Sequence, residues 1–168
     1  LAYSSTVCAC LRPEPREYYA RVICYSIGNC WGSAVFEIAG LDHIVLRTMR
    51  LAPMLDFYCG VLGCVVERET SPALGLTQLR AGEALIDLVA VDSELGRVGG
   101  GPPAALGNNL DHFCLQLKPV SDEDILRHLG EHGIEGGEFT SRYGAQGQGN
   151  SIYIQDPDGN TVELRVRQ

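Results

Sequence analysis

The chain has no run of eighteen consecutive apolar residues, so no segment reads as a helix that crosses a bilayer. It also lacks the basic start followed by an apolar stretch that marks a secretory signal, and the expected compartment is the cytoplasm. Positive charge is scarce: 13 Lys and Arg face 21 Asp and Glu, a net charge of −8. That balance argues against nucleic acid as a partner. The deficit lies wholly beyond residue 40, because Arg12, Arg16 and Arg21 offset Glu14, Glu17 and Glu37. A disulfide framework is missing too. The seven cysteines are odd in number, and Cys59, Cys64 and Cys114 match no metal-knuckle spacing. Set among apolar neighbours, these three are expected to be small buried hydrophobes. Cys8, Cys10, Cys24 and Cys30 are assigned no function.

What remains is a balanced globular composition, 45% hydrophobic and 20% charged over 168 residues, with a small-molecule substrate as the natural partner. Residues 1–40 share no pattern with the rest and are expected to be an appended extension, with a possible packed strand at Val35-Phe36-Glu37-Ile38. From Leu41 the pattern becomes regular. Strand 41–48 is followed by a helix over about 51–62, where Leu51, Met54, Leu55, Tyr58 and Leu62 recur at helical spacing and Gly63 supplies the stop. Strands follow at about 63–69, 75–80 and 84–91, the last two joined by an Ala81-Gly82 turn. A linker at 92–109 leads to strand 110–117, a helix opening at Ser121 as N-cap, and strands near 134–139, 150–155 and 160–166. The fold class is α+β, two βαβββ modules at 41–91 and 110–168.

The two modules share a phrase: Leu41-Asp42-His43-Ile44-Val45-Leu46 returns as Leu110-Asp111-His112-Phe113-Cys114-Leu115, and the chain's four histidines thus include one at the same place in each copy. Each histidine is followed by an apolar strand with one carboxylate, Asp87 in the first module and Glu163 in the second. Strand side chains alternate between faces, so these four residues can share one concavity if the strands are registered to allow it. Two imidazoles and two carboxylates suit a divalent cation with open positions for substrate, a catalytic rather than a structural ligand set.

At this point residues 40–168 resemble the vicinal oxygen chelate superfamily, which includes glyoxalase I, fosfomycin-resistance proteins, extradiol dioxygenases and bleomycin-binding proteins. The carriers are the two Asp-His phrases, Phe57-Tyr58 leading to Val61-Leu62-Gly63, and the ending Ser151-Ile152-Tyr153-Ile154-Gln155-Asp156-Pro157-Asp158-Gly159-Asn160-Thr161-Val162-Glu163-Leu164. The resemblance implies a sheet curled around a metal-binding cup, with His43, His112 and Glu163 at ligand positions and Asp87 where glyoxalase I has a glutamate. It implies a divalent ion (Zn, Ni, Co, Mn or Fe) and a homodimer in which His43 faces His112 of another copy.

By the same resemblance the leading expectation is a metal-dependent lyase or isomerase of an α-oxygenated carbonyl compound, with Glu163 or Asp87 carrying a proton. Three alternatives stand beside it. The stretch from Arg142 and Tyr143 through Gly144, Gly147 and Gly149 to Tyr153 is similar to the glycine-rich loop of epoxide-opening fosfomycin-resistance enzymes, which makes Arg142, Tyr143 and Tyr153 candidate substrate contacts. His43, His112 and Glu163 alone equal the set of an extradiol-type dioxygenase. A metal-free drug- or metabolite-binding protein is the third. Leu74, Leu76, Leu79 and Leu88 suggest an apolar wall, and Arg80, Arg97 and Arg142 are candidate anion contacts. The string His128-Leu129-Gly130-Glu131-His132 imitates an inverted zinc peptidase motif, but Ile125, Leu126 and Leu129 are expected to form the helix's buried side and leave both histidines in solvent.

Overall fold

In β1 (His43–Thr48) the alternate residues Ile44, Leu46 and Thr48 turn to one side, and Leu46 and Thr48 are buried. The same alternation recurs in Leu76–Ala81 of the computed structural model, which describes residues 38–103 and 109–166. By contacts the chain divides into Leu1–Gly40 and Leu41–Gln168, and every element below belongs to the second unit. The strand expected at residues 35–38 falls almost wholly outside the described residues.

After β1 come α1 (Leu51–Leu55), β2 (Val65–Glu69), β3 (Leu76–Ala81) and β4 (Ala84–Ala90). The linker holds α2 (Glu94–Val98), and β5 (His112–Leu117), α3 (Asp122–Glu131), β6 (Thr140–Gly144), β7 (Gly147–Gln155) and β8 (Thr161–Val166) complete the chain. These form two four-stranded mixed sheets, ordered β1-β4-β3-β2 and β5-β8-β7-β6. In each, the first strand runs parallel to the last and the remaining pairs are antiparallel. This is an α+β fold of open curled sheets.

One core serves both sheets. Leu46, Leu79, Ile86 and Leu88 of the first meet Ile152, Ile154, Val162 and Leu164 of the second, with Met54, Phe57 and Tyr58 from the first helix and Ile125 and Leu129 from α3 between them. Burying such side chains stabilises by roughly 1.5–3 kcal/mol each. Tyr58, fully buried, donates its hydroxyl proton to Asp156 Oδ2 at 2.8 Å and so ties the first module's helix to the β7–β8 turn of the second. Asp156 also accepts from the backbone N–H of Asp158 and Asn160 and from the Asn160 amide. The Asp-Pro-Asp-Gly-Asn turn is therefore organised around the Asp156 carboxylate, with Gly159 at φ +82°.

Several elements depart from their expected form. The first helix spans the expected length, but Asp56–Val61 is π-helical, with Leu62 N–H reaching back five residues to Phe57 O. That widening lets the consecutive residues Phe57 and Tyr58 both face inward, their rings edge to face at 5.1 Å. The hairpin turn is Gly82-Glu83, not Ala81-Gly82, because Ala81 pairs with Ala84 and Gly82 takes φ +65°. The linker contains a short helix, α2, capped by Ser93, whose hydroxyl accepts from Gly96 N–H at 3.0 Å. Residues 134–139 do not form the expected strand: Gly136 lies so close to Ile152 that a Cβ would meet it at 2.7 Å, and β6 begins only at Thr140. Ser121 does cap α3, accepting from Asp124 N–H at 3.1 Å, and Gly133 closes it at φ +68° with Ile134 N–H returning to Leu129 O.

Candidate metal centre

Register places the imidazoles and carboxylates. His43 lies opposite Leu85, so Asp87, two residues further along β4 and opposite Val45, is on the same face. His112 lies opposite Thr161, and Glu163, opposite Cys114, is again two residues on. The third strand adds Gln78 beside Asp87 and Tyr153 beside Glu163. Both carboxylates are buried, Asp87 at 5% and Glu163 at 6% exposure, which is costly for an ionised group without partners.

In the second module the partners touch. His112 Nδ1 is 2.7 Å from Asp111 Oδ2, and because an ionised carboxylate only accepts, that nitrogen carries the proton. Nε2 is then a lone pair facing Glu163 Oε2 at 3.3 Å, two acceptors opposed until a proton or a cation lies between them. The Tyr153 ring stands edge to face against the imidazole at 5.5 Å. This donor set fits a divalent cation, and the aspartate behind the imidazole is the usual outer support of such a ligand.

The first module repeats the imidazole half. His43 Nδ1 is held by Asp42 Oδ1 at 2.6 Å. That hydrogen bond raises the imidazole above its ordinary 6.5 against the opposing effect of desolvation, and the charge of Asp87 adds to the rise. Asp87 itself receives the Gln78 amide, Nε2 lying 3.1 Å from each carboxylate oxygen.

Within one chain the four ligand candidates stand as two pairs. Among the described residues no three His, Cys, Asp or Glu side chains converge to hold an ion. Sequence reasoning missed Asp42 and Asp111 as imidazole partners, although the signal, an Asp before each histidine, lay in the repeated phrase. It also missed Gln78 and Arg165.

Other expectations shift. Cys114 is exposed on the His112 face rather than buried, since β5 is an edge strand and the residue alternates away from the core. Desolvation, and then the nearby Glu163 charge, push its thiol up to about 11. Leu79 and Leu88 are core residues on the opposite face from Asp87, so they form no wall of the site. Leu126 is 46% exposed, and only Ile125 and Leu129 make α3's buried side. Arg80 is paired with Glu67 at 2.5 and 2.7 Å, and Arg97 donates to Asp92 O, so neither is a free anion contact. Tyr143 is 80% exposed, on the face of β6 opposite Arg142, and Arg142 donates to its neighbour Ser141 O. His128 and His132 are exposed, but their rings are only 4.4 Å apart and His128 donates to Val61 O at 2.8 Å.

A cavity of about 220 Å³ opens beside His112, lined also by Asp111, Asn160 and Thr161. Thr161 is shared with a second cavity of about 420 Å³ bordered by Glu135, Tyr153 and Gln155. Open space therefore adjoins the second module's imidazole, and Thr161 links it to the larger cavity.

Known proteins place this architecture. The model of the Glyoxalase/Bleomycin resistance protein/Dioxygenase superfamily matches residues 40–164. Biphenyl-2,3-diol 1,2-dioxygenase 2 of Rhodococcus globerulus is 32% identical over 132 residues, covering 74% of this chain but only 60% of that enzyme, so this chain spans less than two thirds of its length. A probable lactoylglutathione lyase of Synechocystis sp. is 28% identical over 127 residues, covering 74% of this chain and 92% of the relative. Among solved structures, an integron cassette protein from the V. cholerae mobile metagenome superposes with a TM-score of 0.62 at 27% identity, over 80% of this chain and all of that one. The match over most of the chain, on the fold that carries the paired His and carboxylate half-sites, shows that the protein belongs to the Glyoxalase/Bleomycin resistance protein/Dioxygenase superfamily.

Proposed function

We propose that the chain is a metal-dependent lyase or isomerase of the glyoxalase type, acting on a small α-oxygenated carbonyl compound. The ion's ligands are His43, Asp87, His112 and Glu163. The observation that carries this reading is the opposition of His112 Nε2 and Glu163 Oε2 at 3.3 Å, with the imidazole proton already committed to Asp111. Because the two pairs are separate within one chain, the site is completed between two copies, the first module of one facing the second module of the other.

A divalent ion held there supplies Lewis acidity to vicinal substrate oxygens. The chain's own groups do the rest. Glu163, buried and beside the imidazole, moves a proton between adjacent substrate carbons. Asp111 and Asp42 keep the imidazoles in one tautomer, and Tyr153 fixes the His112 ring. The similarity to a probable lactoylglutathione lyase over most of that protein's length supports this reaction class.

A second reading has its own observation. Both Asp87 oxygens are engaged by Gln78, which would leave His43, His112 and Glu163 as a two-histidine, one-carboxylate set, and a biphenyl-diol dioxygenase is among the relatives.

Metal content of the purified protein, wild type beside His112→Ala and Glu163→Ala, tests both. About one divalent ion per chain, lost in both variants, supports a metal enzyme. Turnover of a methylglyoxal–thiol adduct that persists without oxygen then favours the isomerase, and oxygen-dependent cleavage of a catechol favours the dioxygenase. No metal after reconstitution overturns both and leaves a ligand-sequestering protein.

A further inference from the structure

Arg165 follows Glu163 by two residues in β8, on the same face and therefore roughly 7 Å along the strand. It is 94% buried by its 6% exposure, and among the described residues it enters no ion pair. A buried guanidinium without a counter-ion is costly and calls for a reason.

The β6–β7 hairpin holds it. Nη1 donates to Arg142 O at 2.9 Å and reaches Gly149 O and Ser151 Oγ at 3.4 Å, and Nη2 donates to Gly147 O. The glycines make room: a Cβ at Gly149 would lie 2.9 Å from Nη2, and one at Gly144 would lie 3.1 Å from the guanidinium. The space left by the glycines of this loop is thus filled by a cation bound to its carbonyls. Those carbonyls also restrain the arginine from swinging along its own strand to pair with Glu163. The result is a fixed separation of charge, with the carboxylate free to ligate and the cation uncompensated.

We propose that Arg165 makes the second module's face selective for an anionic substrate, one that carries a carboxylate beside the oxygens presented to His112 and Glu163. The inference rests on the metal-centred reading of the site and names its substrate class. Arg165 acts through its charge, without leaving the hairpin. A unit charge at this range, in the intermediate dielectric of a half-enclosed site, changes anion affinity by about tenfold.

The test uses the full chain reconstituted with divalent metal, with metal content checked in every variant. Affinities for oxamate and for its neutral analogue oxamide are measured by calorimetry in wild type, Arg165→Met and Arg165→Lys. Arg165→Met is expected to lower the oxamate-to-oxamide affinity ratio about tenfold at unchanged metal content, and Arg165→Lys to preserve the ratio despite a looser hairpin. An unchanged ratio in Arg165→Met, or a fall in Arg165→Lys as large as that expected for Met, would make Arg165 a hairpin strut and overturn the proposal. The lysine variant keeps the test decisive if the methionine variant does not fold. If wild type takes up no metal, the metal reading fails by itself and the same probes on the metal-free chain read the cation: preference for oxamate supports it, and no preference overturns it.

Discussion

Laid over one another by register, the two modules agree in backbone and in their His and carboxylate pairs, and disagree in almost everything around them. The histidine row is His43, Leu85 and Arg80 in one and His112, Thr161 and Gln155 in the other. The carboxylate row is Val45, Asp87 and Gln78 against Cys114, Glu163 and Tyr153. The next row is Arg47, Val89 and Leu76 against Gln116, Arg165 and Ser151. Leu85, Val45, Val89 and Leu76 share the first face with Arg80, Gln78 and Arg47, while hydroxyls, a thiol, two amides and a buried cation surround the second pair without an aliphatic neighbour. The repeat thus keeps its His and carboxylate pairs and diverges in their neighbours, mixed aliphatic and cationic on one side and polar on the other.

The most severe way to break the comparison is to remove one proposed ligand from each side. Glu163→Ala should lower metal affinity by more than about 100-fold, beyond the usual loss for an outer support, and Asp87→Ala by less, because Gln78 already occupies its oxygens. Equilibrium dialysis against a competing chelator reads the difference, and equal losses would restore the symmetry.

A milder test sits behind the imidazoles. Asp111→Asn and Asp42→Asn each remove an ionised acceptor from Nδ1, and each should weaken metal binding by about 10-fold. Matching losses in the two variants would show that both imidazoles ligate.

Tyr58→Phe strips one donor from the buried Asp156 carboxylate and should cost about 1–2 kcal/mol in urea denaturation. Because that bond joins the modules, a single transition should persist at a lower midpoint. Two separated transitions would mean that the modules depend on it for cooperativity.

The smallest effect is at the helix starts. Ser121→Ala should cost about 1 kcal/mol by removing the α3 cap, whereas Arg50, at the capping position before α1, supplies no side-chain cap to lose. Arg50 is useful elsewhere, donating to Pro157 O at 2.5 Å.

Much of this was legible in the sequence, and the reasons differ by element. The Asp-His phrases, the helical spacing of Met54 and Tyr58, and Ser121 as a cap are local signals that tertiary contacts reinforce. The strand expected at 134–139 failed because its apolar residues serve packing: Ile134 packs against the core, and Gly136 lets the chain lie close on Ile152 of β7. Cys114 was misplaced because an apolar neighbourhood does not say which face of an edge strand a residue takes. Arg165 was invisible because its partners are backbone carbonyls of a hairpin, and residue types alone do not aim a carbonyl.

Arg47 fastens the first half of the 92–109 linker by donating to the carbonyls of Gly96, Gly99, Gly100 and Gly101. As a tether between the sheets it therefore begins at Pro102, and a span of about nine residues reaches at most roughly 30 Å. Covalent linkage of this kind keeps the local concentration of one sheet around its own partner high. Spliced in after Gly101, an added flexible stretch of equal length would touch none of the held carbonyls and would cost only about 0.6 kcal/mol of closure entropy. Tether length is therefore the cheapest dial by which this architecture could be moved from self-contained to interlocked.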